Sequence, residues 1–411
     1  MNQPLGTAPN RIRVVQLTNS FYLGGAEGQA VELLRSLRAR YDFRVAVLHD
    51  AGPLKDEVRQ LGFEPERFQP RGSLARPSIA PLIARMAHWL KREGAEVIHI
   101  HDFFSTVLGV PAAKLAGCKI IVGRLDLGHW HGPFRRAALA GLTRMADHVI
   151  VNADAIRQLL TSRERMPPER ITVVRNGIDL GRFDQRLKEP PASPIPKTGD
   201  APVALLVANM NHPVKRQEDF LVAVAHARAQ GCRLEGFLVG DGPRRPRLEA
   251  LAKELKLGAG VHFLGHRTDV PAVAARCSVG VLCSTAEGLS NAIIEGMAAR
   301  LPVVVTSVGG NPELVADRER GLLVPPESPF ELSAALADIV SHPRAARRMG
   351  SAGRAFVEAE LSLDRMADAH HRLYQRLAGV TTDARSRSEP LETHRPDINS
   401  SARSQLRRAV R

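Results

Sequence analysis

The sequence predicts two α/β domains, each a parallel sheet covered by helices on both faces, set either side of a cleft. Three observations carry this. Short β-branched runs alternate with longer helical stretches. A proline-rich span at 188–202 interrupts the alternation. The same rhythm then restarts and runs to about residue 324. A length of 411 residues suits two or three domains at roughly 150 residues each.

Ile12–Leu17 is the first strand, ending in Thr18-Asn19-Ser20. Gly24-Gly25 leads into a helix over Ala26–Arg40, with Ala30, Leu33, Leu34 and Leu37 on one face. Phe43–Leu48, Val97–Ile100, Lys119–Val122, His148–Asn152 and Ile171–Val174 are further strands. Ser105–Ala116 is helical, and Asn176-Gly177 is a turn. Five prolines within 188–202 exclude helix and central strand there, so this span is an interdomain linker. Beyond it come strands at Val203–Ala208, Phe237–Val239, Val261–Leu264, Val279–Cys283, Val303–Thr306 and Gly321–Val324. Helices at Gln217–Ala229, Pro246–Leu255 and Asn291–Arg300 fill gaps between them. Leu361–Leu377 is a further helix, on which the adjacent His370 and His371 point about 100° apart and are expected at the surface. The expected divisions are therefore 1–187, the linker 188–202, 203–360, a C-terminal helix in 361–380, and a disordered basic tail over 381–411. In such sheets, ligands bind outside the carboxyl ends of the strands.

Composition narrows the function classes. Hydrophobic residues at 44% and charged residues at 24% are ordinary globular values, and exclude wholesale disorder. Aromatics at 4% leave aliphatic side chains to fill the cores. The net charge is +14, and 48 of the 57 basic residues are arginine. Residues 1–200 hold 29 basic and 20 acidic residues, a balance of +9, against +2 over 201–380 and +3 in the tail. A basic first half favours anionic partners or carries solvated spare arginines. Three Tyr and two Trp are too few for base stacking, so nucleic acid is not expected. The sequence holds no run of 18 apolar residues that could span a bilayer, and the first residues lack the apolar core of a signal peptide. The chain is expected in the cytoplasm, able to touch a membrane from inside. The amphipathic stretch Ile79–Arg92 with Trp89 either lies on anionic lipid or faces the core. Cys118, Cys232, Cys277 and Cys283 are scattered without metal spacing, and read as buried free thiols.

The strongest local signal is Glu287-Gly-Leu-Ser-Asn-Ala-Ile-Ile-Glu295, placed between a strand and a helix capped by Ser290 or Asn291. Asn291 and Glu295 share one helix face. Free amides and a partial positive charge at the helix N-terminus suit an anion. The flanking carboxylates Glu287 and Glu295 suit hydroxyls. A nucleotide-sugar offers both, although a capped surface helix with ordinary glutamates has the same spacing. Lys215 follows the first strand of the second domain, where it can reach a diphosphate as a point charge. Gly24-Gly25 lets backbone amides approach a phosphate. Gly240-Asp241-Gly242 lacks the third glycine of a dinucleotide fingerprint and reads as a tight turn.

Together these residues resemble glycosyltransferase family 4 (the group 1 glycosyl transferases) of the GT-B fold, in which two Rossmann-like doubly wound domains face a cleft. The matching pieces, in family order, are Gly24-Gly25-Ala26-Glu27, His99-Ile100-His101-Asp102, Asn176-Gly177-Ile178-Asp179, Lys215, Val239-Gly-Asp-Gly-Pro243, Phe263-Leu264-Gly265, Glu287 to Glu295, and Val308-Gly-Gly-Asn-Pro-Glu-Leu-Val315. They span about Arg11 to Leu377. The resemblance implies a retaining transfer from a nucleotide-diphosphate sugar to a glycan or lipid-linked acceptor, in bacterial polysaccharide, lipopolysaccharide or glycolipid synthesis. It implies that Glu287 binds donor-sugar hydroxyls, Glu295 the ribose and Lys215 the diphosphate. The Leu289, Ser290 and Asn291 amides contact phosphates or sugar, and Gly24 and Gly25 lie across the cleft. His262 to His266, Gly265 among them, lie near the base, and His101 on the acceptor side. Two departures stand out. Asn209 occupies the place of an arginine that usually clamps the diphosphate six residues before the lysine. Where the family often has an acceptor-side histidine, this chain reads Gly123-Arg124-Leu125-Asp126-Leu-Gly-His129. Asp126 or His129 is the candidate there, and Arg124 can supply some of the missing positive charge.

No D-x-D motif occurs, which fits a metal-free and cofactor-free site neutralised by Lys215 and helix amides. Of the competing readings, a nicotinamide dehydrogenase needs the absent G-x-G-x-x-G. A non-catalytic nucleotide-sugar-binding protein of the same fold is the alternative that the Asn209 departure raises.

Overall fold

The computed structural model describes residues 11–22, 24–70, 72, 79–128 and 132–380. The first half runs β1 (Arg13–Thr18), α1 (Gly25–Leu37), β2 (Asp42–Val47), α2 (Leu54–Gln60), β3 (Glu66–Arg67), α3 (Ala80–Arg92), β4 (Val97–Ile100), α4 (Phe103–Ala116), β5 (Lys119–Arg124), α5 (Pro133–Met145), β6 (His148–Val151), α6 (Asp154–Ser162), β7 (Ile171–Val173) and α7 (Leu180–Lys188). The second half runs β8 (Val203–Val207), α8 (Gln217–Ala229), β9 (Glu235–Val239), α9 (Arg245–Glu254), β10 (Val261–Gly265), α10 (Val270–Ala274), β11 (Val279–Leu282), α11 (Asn291–Ala298), β12 (Val303–Thr306), α12 (Asn311–Leu314), β13 (Gly321–Val324), α13 (Pro329–Ser341), α14 (Pro343–Glu360) and α15 (Leu363–Leu377).

The strands form two sheets, β3-β2-β1-β4-β5-β6-β7 and β10-β9-β8-β11-β12-β13. Every strand pair in them is parallel. In each sheet the chain winds outward from the first strand in both directions, so helices cover both faces. This is the GT-B arrangement of two doubly wound Rossmann-like halves. The central strands β4, β6, β11 and β12 are buried along their whole length, as fully covered parallel strands must be.

The halves are joined through more than the proline-rich span. One apolar cluster runs from Val149, Val151, Ile156 and Phe183 of the first half into Leu289, Ile293, Met297 and Leu314 of the second. Just after β7 the outgoing chain passes the returning one, with Ile178 bridged in parallel to Ser362. Ile178 N donates to Leu361 O at 2.9 Å, and Leu363 N donates to Ile178 O at 3.1 Å. Gly177 permits this passage, because a Cβ there would sit 2.9 Å from both Leu363 Cα and Met366 Cβ. The final helix α15 then packs into the core of the first half, where Met366, Leu373 and Tyr374 meet Val14, Val31 and Leu34.

Several expectations change. Helix α3 turns Met86, Trp89 and Leu90 into the core, so Ile79–Arg92 is the core-facing alternative rather than a lipid-facing one. His370 is buried, not at the surface, and Tyr41 Oη lies 2.7 Å from His371 Nδ1. All four cysteines are free, but only Cys118 and Cys283 are fully buried. Helices α2 and α7 form where no element was expected. The tail 381–411 lies outside the described residues.

Candidate active site at the interdomain cleft

The Glu287–Asn291 loop joins β11 to α11 at the carboxyl edge of the second sheet. Glu287 Oε1 accepts from Lys215 Nζ at 2.6 Å and from Ser284 Oγ at 2.6 Å. Glu287 is nearly buried, and the Lys215 side chain is 25% exposed, so this ion pair borders the cleft. Ser284 is held in turn because Thr306 Oγ1 donates to its carbonyl at 2.6 Å. Lys215 ends a single helical turn, Pro213–Lys215, and the following Arg216 is left-handed at φ 48°. The Cys283 thiol donates to the Arg216 carbonyl at 3.0 Å and anchors this turn beneath the loop.

A second loop supports the first from below. Gly309 has φ +52°, and a Cβ there would lie 1.9 Å from Glu287 O. At Gly310 a Cβ would lie 2.3 Å from Gly288 O, and the Gly310 amide donates to that carbonyl at 3.0 Å. Only a pair of glycines lets the Glu287–Gly288 backbone sit this close. The motif Val308-Gly-Gly-Asn is thus a floor for the Glu287 loop.

Across the cleft, Asn291 bonds two segments of the first half. Its Oδ1 accepts from Asn176 Nδ2 at 2.7 Å, and its Nδ2 donates to Gly25 O at 3.3 Å. Asn176 Nδ2 also donates to Leu289 O at 3.2 Å. Leu125 O would lie 2.2 Å from a Cβ on Gly288, so the loop carrying Asp126 abuts the Glu287 loop. Asp126 Oδ1 accepts from Gly128 N at 2.6 Å, which tightens that loop. Glu313 takes both free amides at the start of α6, Asp154 N and Ala155 N, each at 2.9 Å. Burial raises its carboxyl pKa against those two bonds. Asn176, Ser284 and Glu313 were not singled out from the sequence as site residues. Asn176 and Glu313 do lie in recognisable pieces, but what each side chain touches depends on the other half of the molecule.

Glu295 faces a small cavity lined by Val207, Ala292, Gly296 and other apolar groups. Burial pushes its carboxyl up to about 7, with Arg186 pulling the other way. Ser290 stands at the N-cap of α11 without using its side chain there. Asn209 is exposed at the end of β8, and its carbonyl accepts from Gln217 Nε2 at 2.9 Å. Gly265 ends β10 at φ +67°, and its carbonyl accepts from Gly240 N at 2.8 Å. Gly24 precedes α1 in extended backbone.

Three expected site residues sit elsewhere. His262 points toward the amino end of the second sheet, 3.2 Å from Glu235 Oε2 at the start of β9, away from the cleft edge. Arg124 is buried in a bidentate pair with Glu164 at 2.8 and 3.0 Å, so its charge is already used. His101 is buried and donates to Gln16 Oε1. Gln16 Nε2 donates to Tyr374 Oη at 2.9 Å, and Tyr374 Oη to His99 Nδ1 at 2.8 Å. Burial holds His101 down to about 3 and His370 to about 4, so this cluster is neutral. It fastens α15 to β1 and β4. His129 lies outside the described residues.

The family model described as Glycosyltransferase Family 4 matches residues 23–182, and that described as Glycosyl transferases group 1 matches residues 201–342. The α-maltose-1-phosphate synthase of Mycolicibacterium smegmatis is 27% identical over 405 residues, covering 89% of this chain and all of that one. The D-inositol 3-phosphate glycosyltransferase of Streptomyces bingchenggensis is 30% identical over 303 residues, 68% of this chain and 66% of its own length. Among solved structures, Anabaena Alr3699/HepE in complex with UDP-glucose superposes with a TM-score of 0.77 at 22% identity, over 89% of this chain and 100% of that one.

Proposed function

This chain belongs to the group 1, family 4 glycosyltransferases with the GT-B fold, and on that premise we propose that it moves a sugar from a nucleotide-diphosphate sugar to a glycan or lipid-linked acceptor with retention of anomeric configuration. The observation that carries this reading is the Lys215–Glu287–Ser284 group beside the N-terminus of α11, facing Gly25 across the cleft. The ammonium and the α11 amides suit the donor diphosphate, and Glu287 suits the sugar hydroxyls. Glu295, whose raised pKa marks a carboxyl short of partners, suits the ribose diol, since two donated hydrogen bonds favour its ionised form. Asp126, on the loop that abuts Gly288, and His129 are the first-domain groups assigned to the reacting sugar or acceptor.

As the glycosidic bond breaks, charge grows on the leaving diphosphate, and preorganised donors there lower the barrier. Lys215 can shift from Glu287 to that phosphate while Ser284 keeps Glu287 oriented. No metal or other cofactor is assigned to this step. Relatives support retention and glycan synthesis, one being named a GDP-mannose-dependent alpha-(1-6)-phosphatidylinositol monomannoside mannosyltransferase. The reading places the reaction on the cytoplasmic side, in polysaccharide, lipopolysaccharide or glycolipid synthesis.

The test is turnover on UDP-, GDP- and ADP-sugars, with and without EDTA, and NMR of the product anomer. Turnover of one nucleotide class, unaffected by EDTA and with the donor's anomeric configuration kept, is expected. Donor binding without turnover, an inverted product or loss with EDTA each overturns the corresponding part.

A further inference from the structure

We propose that Glu27, in the first turn of α1, is the base that takes the proton of the attacking acceptor hydroxyl. Gly24 is the N-cap of α1, which makes Glu27 the third residue of the helix. A glutamate at that position reaches back over the helix end. Glu27 does so: a Cβ on Gly24 would overlap its Oε2, and its carboxyl accepts from its own backbone amide. The carboxyl therefore sits at the cleft end of α1 rather than along its flank. The neighbouring Gly25 offers its carbonyl to Asn291 Nδ2, at the start of the helix assigned to the donor diphosphate. Glu27 thus stands on the first-half wall of the cleft, opposite Lys215 and Glu287.

Its surroundings suit a base. The Glu27 side chain lines a small cavity with Thr18, Ser20 and His101 at the carboxyl ends of β1 and β4, beside the apolar Phe21 and Val31. His101 is neutral and already bonded to Gln16, so the charged neighbour is Asp102. No ion pair involves Glu27 among the described residues. The other carboxylates at this edge are committed. Asp102 accepts from Ser105 N, Ser105 Oγ and Asn19 N. Asp50 pairs with Lys55 of α2 at 2.8 Å and with Arg67, and Asp126 accepts from Gly128 N. On the facing wall Lys215 is held by Glu287, and Asn291 is neutral. Burial, and then the like charge of Asp102, raise the Glu27 carboxyl to about 7. A base works best with its pKa near the working pH, where it is both ionised and able to hold the proton.

This assignment rests on the transferase reading and gives the proton of that reaction a destination. The acceptor oxygen bonds the anomeric carbon. The bond from that carbon to the diphosphate oxygen breaks, and its electron pair leaves on the diphosphate. The hydroxyl proton passes to a Glu27 oxygen, and the resulting carboxylic acid releases it to water once the product departs. Lys215 meets the charge that grows on the leaving group, and Glu27 the charge that grows on the nucleophile, one from each wall of the cleft.

The test takes the UDP-, GDP- or ADP-sugar that the wild-type full chain turns over, and follows its hydrolysis with water as acceptor, at saturating donor, from about pH 5 to about pH 9. Wild-type kcat should rise about tenfold per pH unit below the Glu27 value of about 7 and level off above it, because only the ionised carboxylate takes a proton. Glu27→Gln should lower kcat roughly 100-fold or more, remove this limb and leave donor KM within about twofold. Glutamine makes the same helix-end bond as glutamate, so the melting temperature should hold. Glu27→Asp sets its carboxylate one methylene short and should keep the limb at a lower plateau. Glu295, also raised to about 7, is assigned to the donor ribose and therefore acts on donor KM rather than on kcat at saturation. The proposal is overturned by a wild-type kcat that is flat with pH, or by a Glu27→Gln variant that keeps the wild-type rate or the limb, or that changes only KM. A lowered melting temperature with the limb intact would make Glu27 a helix cap and overturns it too. Turnover of none of the donors by the wild type removes the transferase reading and this assignment with it, whereas an active wild type beside an equally active Glu27→Gln removes the assignment alone.

Discussion

Two polar clusters lie at the carboxyl edges of the two sheets, and they are built oppositely. In the second half, Lys215, Glu287 and Ser284 form a charged group at the cleft, with the lysine partly in water. In the first half, His101, Gln16, Tyr374 and His99 form a neutral chain of hydrogen bonds sealed from solvent. A charged pair at a wet edge can exchange partners, because an arriving phosphate or hydroxyl replaces one charge-assisted bond with another. A neutral buried chain cannot, since opening it leaves polar groups unsatisfied in the core. The first arrangement suits ligand exchange, and the second suits fastening a helix.

The largest effect that separates them is on catalysis. Lys215→Ala should lower turnover roughly 100- to 1000-fold, about 3–4 kcal/mol, with the fold kept. Circular dichroism and rate measurements on the same sample check this, and a full rate would place the diphosphate charge elsewhere. The next is on stability. His101 and His370 titrate in the fold near 3 and 4, below the ordinary value of 6.5. The unfolded chain therefore binds more protons below about pH 6.5, and their contribution, complete above that pH, is lost as pH falls toward 4. For His370 alone this approaches about 3 kcal/mol at pH 4. Glu27 and Glu295, raised to about 7, act in the opposite sense. The difference in melting temperature between wild type and His370→Gln isolates the imidazole. It should shrink from pH 7 to pH 4, whereas a constant difference would contradict a neutral buried ring.

Glu287→Gln should lose roughly 10- to 100-fold in turnover, because a neutral amide accepts hydroxyl protons less strongly than a carboxylate. Its circular dichroism should remain native, and an unchanged rate would move the sugar site away from this loop. Smallest is Asn176→Ala, which removes the two neutral bonds that Asn176 makes across the cleft, to Asn291 Oδ1 and Leu289 O, and should cost about 1–2 kcal/mol, or roughly five- to thirtyfold in kcat/KM. Asn176→Asp keeps the acceptor but lacks the amide donor, so it should not rescue. Rescue by Asp would show that the Asn176 amide is not the group that holds Asn291.

How much of this was legible follows from the range of each cause. The strand and helix alternation is local, and β4, β12 and β13 fall on the residues that periodicity assigned. The Glu287 loop and Lys215 were visible because special residues follow recognisable strands. The glycine pair at 309–310 was visible as a motif but not as the floor of the Glu287 loop, which depends on a contact more than twenty residues away. His262 falls at the amino end of β10, away from the cleft edge, whereas Arg124 and His101 lie near the edge of the first sheet with their side chains already bonded. Position relative to a strand says which edge a residue is near, but not whether its side chain already has a partner in the core.

What the sequence by itself determined is the two-sheet architecture and the chemistry available at its edges, because hydrophobic period, proline and glycine act within a few residues. Only the tertiary structure decided which amphipathic helix is buried. By period alone Ile79–Arg92 was open to an exposed role, but α3 packs on α4 with Trp89 inward, whereas α5 leaves Phe134 in water. It also decided that the last helix returns to the first half, where Tyr374 completes a hydrogen-bond chain begun at Gln16. Such outcomes rest on contacts between residues hundreds of positions apart, and burial is a property of the packed whole rather than of any segment.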